Sequence, residues 1–273
     1  MQTLTNQGMA MPRLGLGTWP MRGAECQAAV ESALALGYRH IDTAAAYGNE
    51  DAVGAGIAAA GVPRGQIHVT TKVWHDQLAP GGVAAAIERS LSALRLDHVD
   101  LYLIHWPARG MDLPRTLEAM VRLREQGRAR AIGVSNFPVA LMRQAVEEVG
   151  APIACNQVEY HAMLDQSAVL AYARAHGIAV TAYSPLAKGS ELAGIAELAA
   201  IARKHDATAA QVALAWLLGQ DGVAAVPKAA SRARQAENLR ALDVALDAAD
   251  REAIALLPKG RRLVTPSWAP AWD

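Results

Sequence analysis

"YRHIDTAAAYGNE" (residues 38–50) begins as a short β-prone run, ends that run in Asp42, and places Tyr47 five positions further on beside Gly48. A strand that feeds a turn in this way exposes both side chains at one rim. Similar runs recur along the chain: "IHVTTK" near 67, "VDLYLIH" near 99, "ARAIGVSN" near 128, "IACNQVEY" near 153, "IAVTAYSP" near 178 and "GVAAVPK" near 222. Between them lie helix-length segments such as "AECQAAVESALALG", "GGVAAAIERSLSAL" and "TLEAMVRLREQG", with apolar residues returning every three or four positions. Adding "PRLGLGTW" near 12 brings the β-α units to eight. Short apolar strands alternating with helices describe a parallel sheet covered on both faces. The count and chain length predict a (β/α)8 TIM barrel formed by residues 1–273 as a single domain, with a C-terminal tail over the rim.

A doubly wound sheet also alternates β and α, but it usually declares itself by G-x-G-x-x-G after the first strand. "GLGTWP" carries only the first two glycines. The spacing from Tyr183 to Gly222 is long enough for an extra helix, placed in "LAKGSELAGIAELAAIARKHD", and Thr208 with Gln211 forms a T-x-x-Q capping box for the helix after it.

Composition narrows the function. Of 273 residues, 52% are hydrophobic, and 26 Lys plus Arg balance 26 Asp plus Glu. No net field recruits nucleic acid or an anionic membrane, so a small-molecule partner is expected, and no metal is implied. The first residues lack a basic flank with an apolar core, and no apolar run reaches membrane-spanning length; a cytoplasmic, soluble protein is the expectation. Cys26 and Cys155, without a C-x-x-C pairing, are expected as reduced core residues.

In a (β/α)8 barrel the strand C-termini converge on one face. Asp42, Lys72, His105, Ser135, Asn136, Asn156, Gln157, Tyr183 and Ser184 all follow strand runs and should gather there. Any one of them has an ordinary structural explanation, such as a turn cap, a solvated lysine or a satisfied core histidine. Their coincidence with a phenol asks for chemistry. A free phenol titrates near ~10 and donates poorly at neutral pH unless a cation lowers that value. Lys72 is placed to be that cation, and Asp42 to keep it charged. His105 can donate to a substrate oxygen. The set suits protonation of an alkoxide as it forms.

"GLGTW", "YRHIDTAAAYGNE", "VTTKVW", "LYLIHWP", "IGVSNF", "NQVEYH", "AYSPLAKG" and "VPKAASRARQAENL" resemble, in order, the signature segments of the aldo-keto reductases, in particular the bacterial 2,5-diketo-D-gluconate and methylglyoxal reductases. The resemblance implies Tyr47 as general acid, Lys72 and Asp42 as the pair that tunes it, and His105 as the group orienting the carbonyl. It implies NADPH as cofactor, since no side chain supplies hydride. Ser135, Asn136 and Gln157 would hold the carboxamide, with Asp42, Gly17, Thr18 and Trp19 nearby, and Tyr183 would stack on the nicotinamide. Ser184, Pro185, Leu186, Lys188 and Gly189 would wrap the pyrophosphate. Lys228, Ala229, Arg234, Glu237 and Asn238 would bind the far end, Lys228 and Arg234 reading the 2'-phosphate at a helix start. Ala187 stands where the family often has Gly, and Ala229 where it often has Ser.

Trp19, Trp74 and Trp106 match substrate-pocket positions, beside Tyr47 and His105. Trp216 is expected in the core. Trp268 and Trp272, in the tail, either touch substrate or serve as packing staples. Three activities compete: an NADPH-dependent carbonyl reductase acting as a monomer on aldehydes, α-dicarbonyls or keto sugar acids; a lyase or aldolase with a Schiff base on Lys72; and a nucleotide-binding regulatory barrel without turnover.

Overall fold

The computed structural model describes residues 2–187 and 189–273. The chain opens with an antiparallel hairpin, β1 (Thr3–Asn6) and β2 (Met9–Pro12). This hairpin was not foreseen. Its two-residue turn has Gln7 at φ 46° and Gly8 at φ 85°, the paired positive values of a type I′ turn.

Eight parallel strands follow in sequence order: β3 (Leu16–Gly17), β4 (His40–Asp42), β5 (His68–Val73), β6 (Val99–Ile104), β7 (Ala129–Ser135), β8 (Ile153–Glu159), β9 (Ala179–Tyr183) and β10 (Val223–Ala225). They are the eight runs read from the sequence. Every strand pair is parallel, and β4, β5, β6 and β8 are buried throughout and β7 at all but Arg130, as expected of strands covered on both faces. Helices surround the curled sheet, including α1 (Gly23–Leu36), α2 (Glu50–Ala59), α3 (Pro80–Leu94), α4 (Leu113–Glu125), α5 (Val139–Arg143) and α6 (Ser167–Ala175). Backbone contacts also run between the segments that bear β3 and β10. Gly15 N–H donates to Ala225 O at 2.9 Å, Ala225 N–H to Arg13 O at 2.7 Å, and Gly17 N–H to Pro227 O at 3.1 Å.

The two glycines of "GLG" serve this packing. A Cβ on Gly15 would lie 2.6 Å from the His40 ring, and one on Gly17 would lie 2.5 Å from Val226 O. They allow close approach of neighbouring segments.

The long spacing after β9 holds three helices, α7 (Gly189–Ala193), α8 (Ala196–Lys204) and α9 (Ala209–Leu218). Both bonds of the Thr208–Gln211 capping box are present at the start of α9. Cys26 and Cys155 are free and buried. Among the described residues, no helix is long and apolar enough to cross a membrane.

Candidate active site

Strand alternation decides which side chains reach the rim. On β5, Thr71 turns outward, donating its hydroxyl to Glu50 at the start of α2 at 2.6 Å, while Lys72 turns inward and is fully buried. On β8 the same rule separates the adjacent pair. Gln157 faces Asp42, but Asn156 points away, its amide nitrogen donating to Phe137 O and Met142 Sδ. Asn156 therefore does not join the group expected at the rim.

Tyr47 ends a single turn of 3-10 helix, Ala45–Tyr47, and the chain reverses at Gly48 with φ 61°. That turn is pinned from below. Thr43 Oγ1 donates to Asn49 Oδ1 at 2.8 Å, and the Asn49 amide donates to Met21 O at 2.9 Å and Thr18 O at 3.3 Å. Asp42 and Tyr47 are thus brought to one rim, which is where the turn after the first long run had pointed.

Lys72 Nζ donates to Asp42 Oδ1 at 2.6 Å, Thr43 O at 2.9 Å and the Tyr47 hydroxyl at 3.4 Å. These three bonds use all three hydrogens of an ammonium. Burial alone would lower the Lys72 pKa, but Asp42 and Tyr47 together outweigh it and hold the amine above its ordinary value. The other Asp42 oxygen accepts from Gln157 Nε2 at 2.7 Å.

Tyr47 departs from the expectation that Lys72 depresses its pKa. Desolvation raises the phenol, Lys72 pulls it back, and the net direction is upward. The loss of water around the phenolate outweighs one nearby ammonium whose charge Asp42 already neutralises. The proton consequently stays on Tyr47 at neutral pH.

His105 lies edge-on to Tyr47, with ring centroids 5.5 Å apart. Burial, with Lys72 and His75 adding to it, holds its pKa well below the usual histidine value. The ring is neutral and offers one N–H. Its Nδ1 is buried with no partner among the described residues.

Around these four, Asn136 Nδ2 donates to His105 O and Ser135 Oγ, both at 3.0 Å, and Tyr183 OH donates to Asn136 Oδ1 at 2.8 Å. Asn136 adopts φ 63°, a left-handed conformation that asparagine tolerates. Thr18 is fully buried and donates both its N–H and its hydroxyl to Asp42 O, so it positions Asp42 from the side of β3. Ser184 and Ala187 carry φ 46° and 48° in the loop after β9. Positive φ at Ala187 gives a reason for glycine being favoured there. Pro185 is buried, Leu186 half-buried and Gly189 exposed; Lys188 lies outside the described residues.

At the far end Lys228 and Arg234 are exposed, whereas Ala229 and Asn238 are buried. Arg234 is the third residue of α10 (Arg232–Leu239), which Ser231 caps by accepting from Arg234 N–H. Its guanidinium is paired with Glu237 Oε2 at 2.8 Å, and Glu237 Oε1 accepts from Thr208 Oγ1 at 2.8 Å. Glu237 therefore orients Arg234 in this structure.

The tryptophans separate into groups. Trp74, Trp106, Trp268 and Trp272 form a wall: Trp74 lies 5.0 Å from His105 and 5.8 Å from Trp268, and Trp106 lies 5.1 Å from Trp268 and 5.9 Å from Trp272. The tail tryptophans thus pack on two of the residues read as substrate-facing. Trp19 is 63% exposed, apart from this wall. Trp216 is half-buried rather than fully in the core, stacked near Tyr160 and Lys259. A cavity of about 330 Å³ lies behind Trp268, lined by Arg109, Leu141, Gln144 and Pro270 among others; it includes neither Tyr47 nor His105.

The sequence profile of the Aldo/keto reductase family matches residues 13–257. The methylglyoxal reductase DkgB of Salmonella typhimurium is 44% identical over 269 residues, covering 97% of this chain and 100% of the relative. The 9,11-endoperoxide prostaglandin H2 reductase of Trypanosoma cruzi is 41% identical over 96% of this chain and 92% of its own. A crystal structure bearing the name 2,5-diketo-D-gluconic acid reductase B superposes with a TM-score of 0.97 at 42% identity, covering 100% of this chain and 98% of that one. With the profile spanning most of its length and relatives of this similarity matching nearly end to end, the chain belongs to the aldo/keto reductase family.

Proposed function

We propose that this protein reduces aldehydes, α-dicarbonyls such as methylglyoxal, or keto sugar acids such as 2,5-diketo-D-gluconate to alcohols, using NADPH. The observation that carries this reading is the buried Asp42–Lys72 pair joined to the half-buried Tyr47, whose ring lies beside the neutral ring of His105. A nicotinamide held beside Tyr183, Asn136 and Gln157 would supply the hydride that no side chain can give. Tyr47 gives its proton to the carbonyl oxygen as that oxygen gains charge, and the phenolate left behind is held by the Lys72 ammonium. His105 donates its N–H to the same oxygen and fixes the carbonyl's direction.

The residues present fit the cofactor. Tyr183 offers a half-buried ring whose hydroxyl is tied to Asn136, and Gln157 lies on the next strand with its amide nitrogen tied to Asp42. Ser135 and Asn136 stand beside them, and we read Ser184, Pro185 and Leu186, with Lys228 and Arg234, as holding the rest of the cofactor. The contacts from Arg13, Gly15 and Gly17 to Ala225 and Pro227 support closure of the sheet into a (β/α)8 barrel. We read residues 1–273 as one such domain, acting as a cytoplasmic monomer on a small substrate without nucleic-acid or membrane partners. Lys72 argues against the Schiff-base reading, because its amine is held protonated and has no free lone pair to attack a carbonyl.

Loss of NADPH absorbance with methylglyoxal and with keto acids tests the reading directly. Absence of turnover across an aldehyde, dicarbonyl and keto-acid panel would overturn it, and a borohydride-trapped mass on Lys72 would move the assignment to a lyase.

The cofactor choice has its own test. A 2'-phosphate adds nearly two negative charges that NADH lacks, and a guanidinium fork binds it through charge-assisted hydrogen bonds. Arg234 has a side-chain exposure of 71%, so screening keeps its contribution near the low end of the range for such bonds, about 1.5 kcal/mol. Arg234→Ala is expected to weaken NADPH by that amount, leave NADH nearly unchanged and flatten the salt dependence of NADPH binding. Fluorescence titration of both cofactors decides it; equal weakening would show that Arg234 supports adenine or the fold.

A further inference from the structure

Glu159, the last residue of β8, is fully buried, and the reductase chemistry above gives it no task. Two of the donors to its carboxylate come from the chain's final segment. Leu263 N–H donates to Oε1 at 2.7 Å and Val264 N–H to Oε2 at 2.8 Å. The third is His161, also fully buried, whose Nε2 lies 3.1 Å from Oε1. Met163 N–H donates to His161 Nδ1 at 3.3 Å, which leaves the proton on Nε2 and directs it at Glu159.

Beyond Val264 the segment builds the aromatic wall. Trp268 meets Trp74, His75 and Trp106, and Trp272 meets Trp106 while the Arg262 guanidinium lies 4.0 Å over its ring. Beside these, Arg261 N–H donates to Met163 O at 3.0 Å, and two exposed bonds hold its ends: Arg261 with Glu191 at 3.0 Å, and Val139 N–H with Asp273 at 2.9 Å. Exposed bonds of this kind hold weakly. A buried carboxylate that would lose two of its three donors holds strongly.

The register supplies the second half of the inference. Glu159 pairs with Tyr183 across β8 and β9, and Gln157 sits two residues back on the same face of the strand. One strand end therefore carries both a nicotinamide-side residue and the fastening of the substrate-side wall.

We propose that Glu159 is a positioning residue: it clasps the segment from Arg262 to Trp272 over the rim and so sets which carbonyl compounds the pocket admits. The proposal rests on the carbonyl-reductase reading for its consequence, but the clasp itself can be measured without turnover. Glu159→Gln keeps the shape and removes the charge, placing an amide N–H₂ or a single neutral oxygen against two donors. Leu263→Pro removes one tail donor without altering the strand, and Leu263→Ala keeps that donor as a control.

In limited trypsin digestion followed by mass spectrometry, Glu159→Gln and Leu263→Pro should release the tail by cleavage after Arg261 roughly tenfold faster than wild type, the scale of losing a hydrogen bond to a charge; Leu263→Ala should stay close to wild type. In the first two variants 4-nitrobenzaldehyde, added to the NADP+ complex, should quench tail tryptophan fluorescence with about tenfold weaker affinity, and in turnover with NADPH its KM should rise with kcat changed far less. NADPH affinity should hold. Wild-type protection of the tail in folded Glu159→Gln and in Leu263→Pro overturns the clasp. Tail release with unchanged aldehyde binding overturns its role in specificity. If Glu159→Gln does not fold, the Leu263 pair decides alone. A wild-type protein that oxidises no NADPH refutes the reductase reading, and digestion and quenching still judge the clasp.

Discussion

Tyr47→Phe is expected to lower kcat by about 10²- to 10⁴-fold, the range for loss of a positioned general acid, with NADPH affinity nearly unchanged. Phenylalanine keeps the ring that lies edge-on to His105 and under the Lys72 ammonium, 5.1 Å from its centroid. Only the hydroxyl goes. Lys72 keeps Asp42 and Thr43 O, so the buried pair remains paired and the fold should be retained. His105 is a poor substitute donor, because its low pKa leaves it neutral and a neutral imidazole gives up its N–H proton with difficulty. Stopped-flow measurement of NADPH oxidation under saturating substrate separates this loss from product release. Turnover at the wild-type rate would remove Tyr47 from the proton-donor role.

Lys72→Met is expected to act on two observables at once. Methionine approximates the length of the lysine stem but leaves Asp42, itself buried, without its cation. Breaking a buried pair from one side costs about 3–5 kcal/mol. Gln157 still donates to the other Asp42 oxygen, which favours the lower part of that range. In the variant the stranded carboxylate should bind a proton more readily than in the unfolded chain, so the stability deficit should shrink as pH falls. Turnover should drop with it, because the phenolate formed on Tyr47 loses the charge that holds it. Urea unfolding at two pH values and kcat measured on the folded fraction check both. A variant as stable as wild type would mean that the ion pair contributes little net stability, and one with full turnover would sink the proposed role of Lys72.

The strands, several of the helices and the gathering of Asp42, Tyr47, Lys72 and His105 were legible because each rests on a local pattern: a short apolar run, a terminal polar residue, a Gly turn. What escaped depended on a weak turn signal, on strand facing, on depth of burial or on pairing distant segments. The hairpin Thr3–Pro12 turns on Gln-Gly, which lacks the Asn-Gly or Asp-Gly signal, although the alternation around it could have been read. Asn156 and Gln157 are adjacent polar residues, and only the strand's facing decides that one leaves the site. The direction of the Tyr47 shift needed the depth of burial, which a spacing does not contain. Glu159 lies within "NQVEYH" without an expected role, since its two backbone donors come from the tail, more than a hundred positions later. The tail tryptophans, open between packing and substrate contact, pack on Trp74 and Trp106 and thereby extend the wall.

The hairpin also binds the layer beneath Lys72. His40 Nδ1 lies 3.1 Å from Pro12 O and His68 Nδ1 lies 3.2 Å from Ala10 O, while both Nε2 atoms face the hydroxyl of Thr70. Burial drives both imidazoles below the ordinary value of 6.5, as it does His105 at the rim. All three fold without a proton that the unfolded chain takes up readily near that value. Below pH 6.5 the unfolded state thus takes up protons at these three sites that the native one does not, so the stability they contribute is full above that pH and drains away on acidification. Neutral histidines at the floor and at the rim therefore make acid tolerance a property of the sheet's interior.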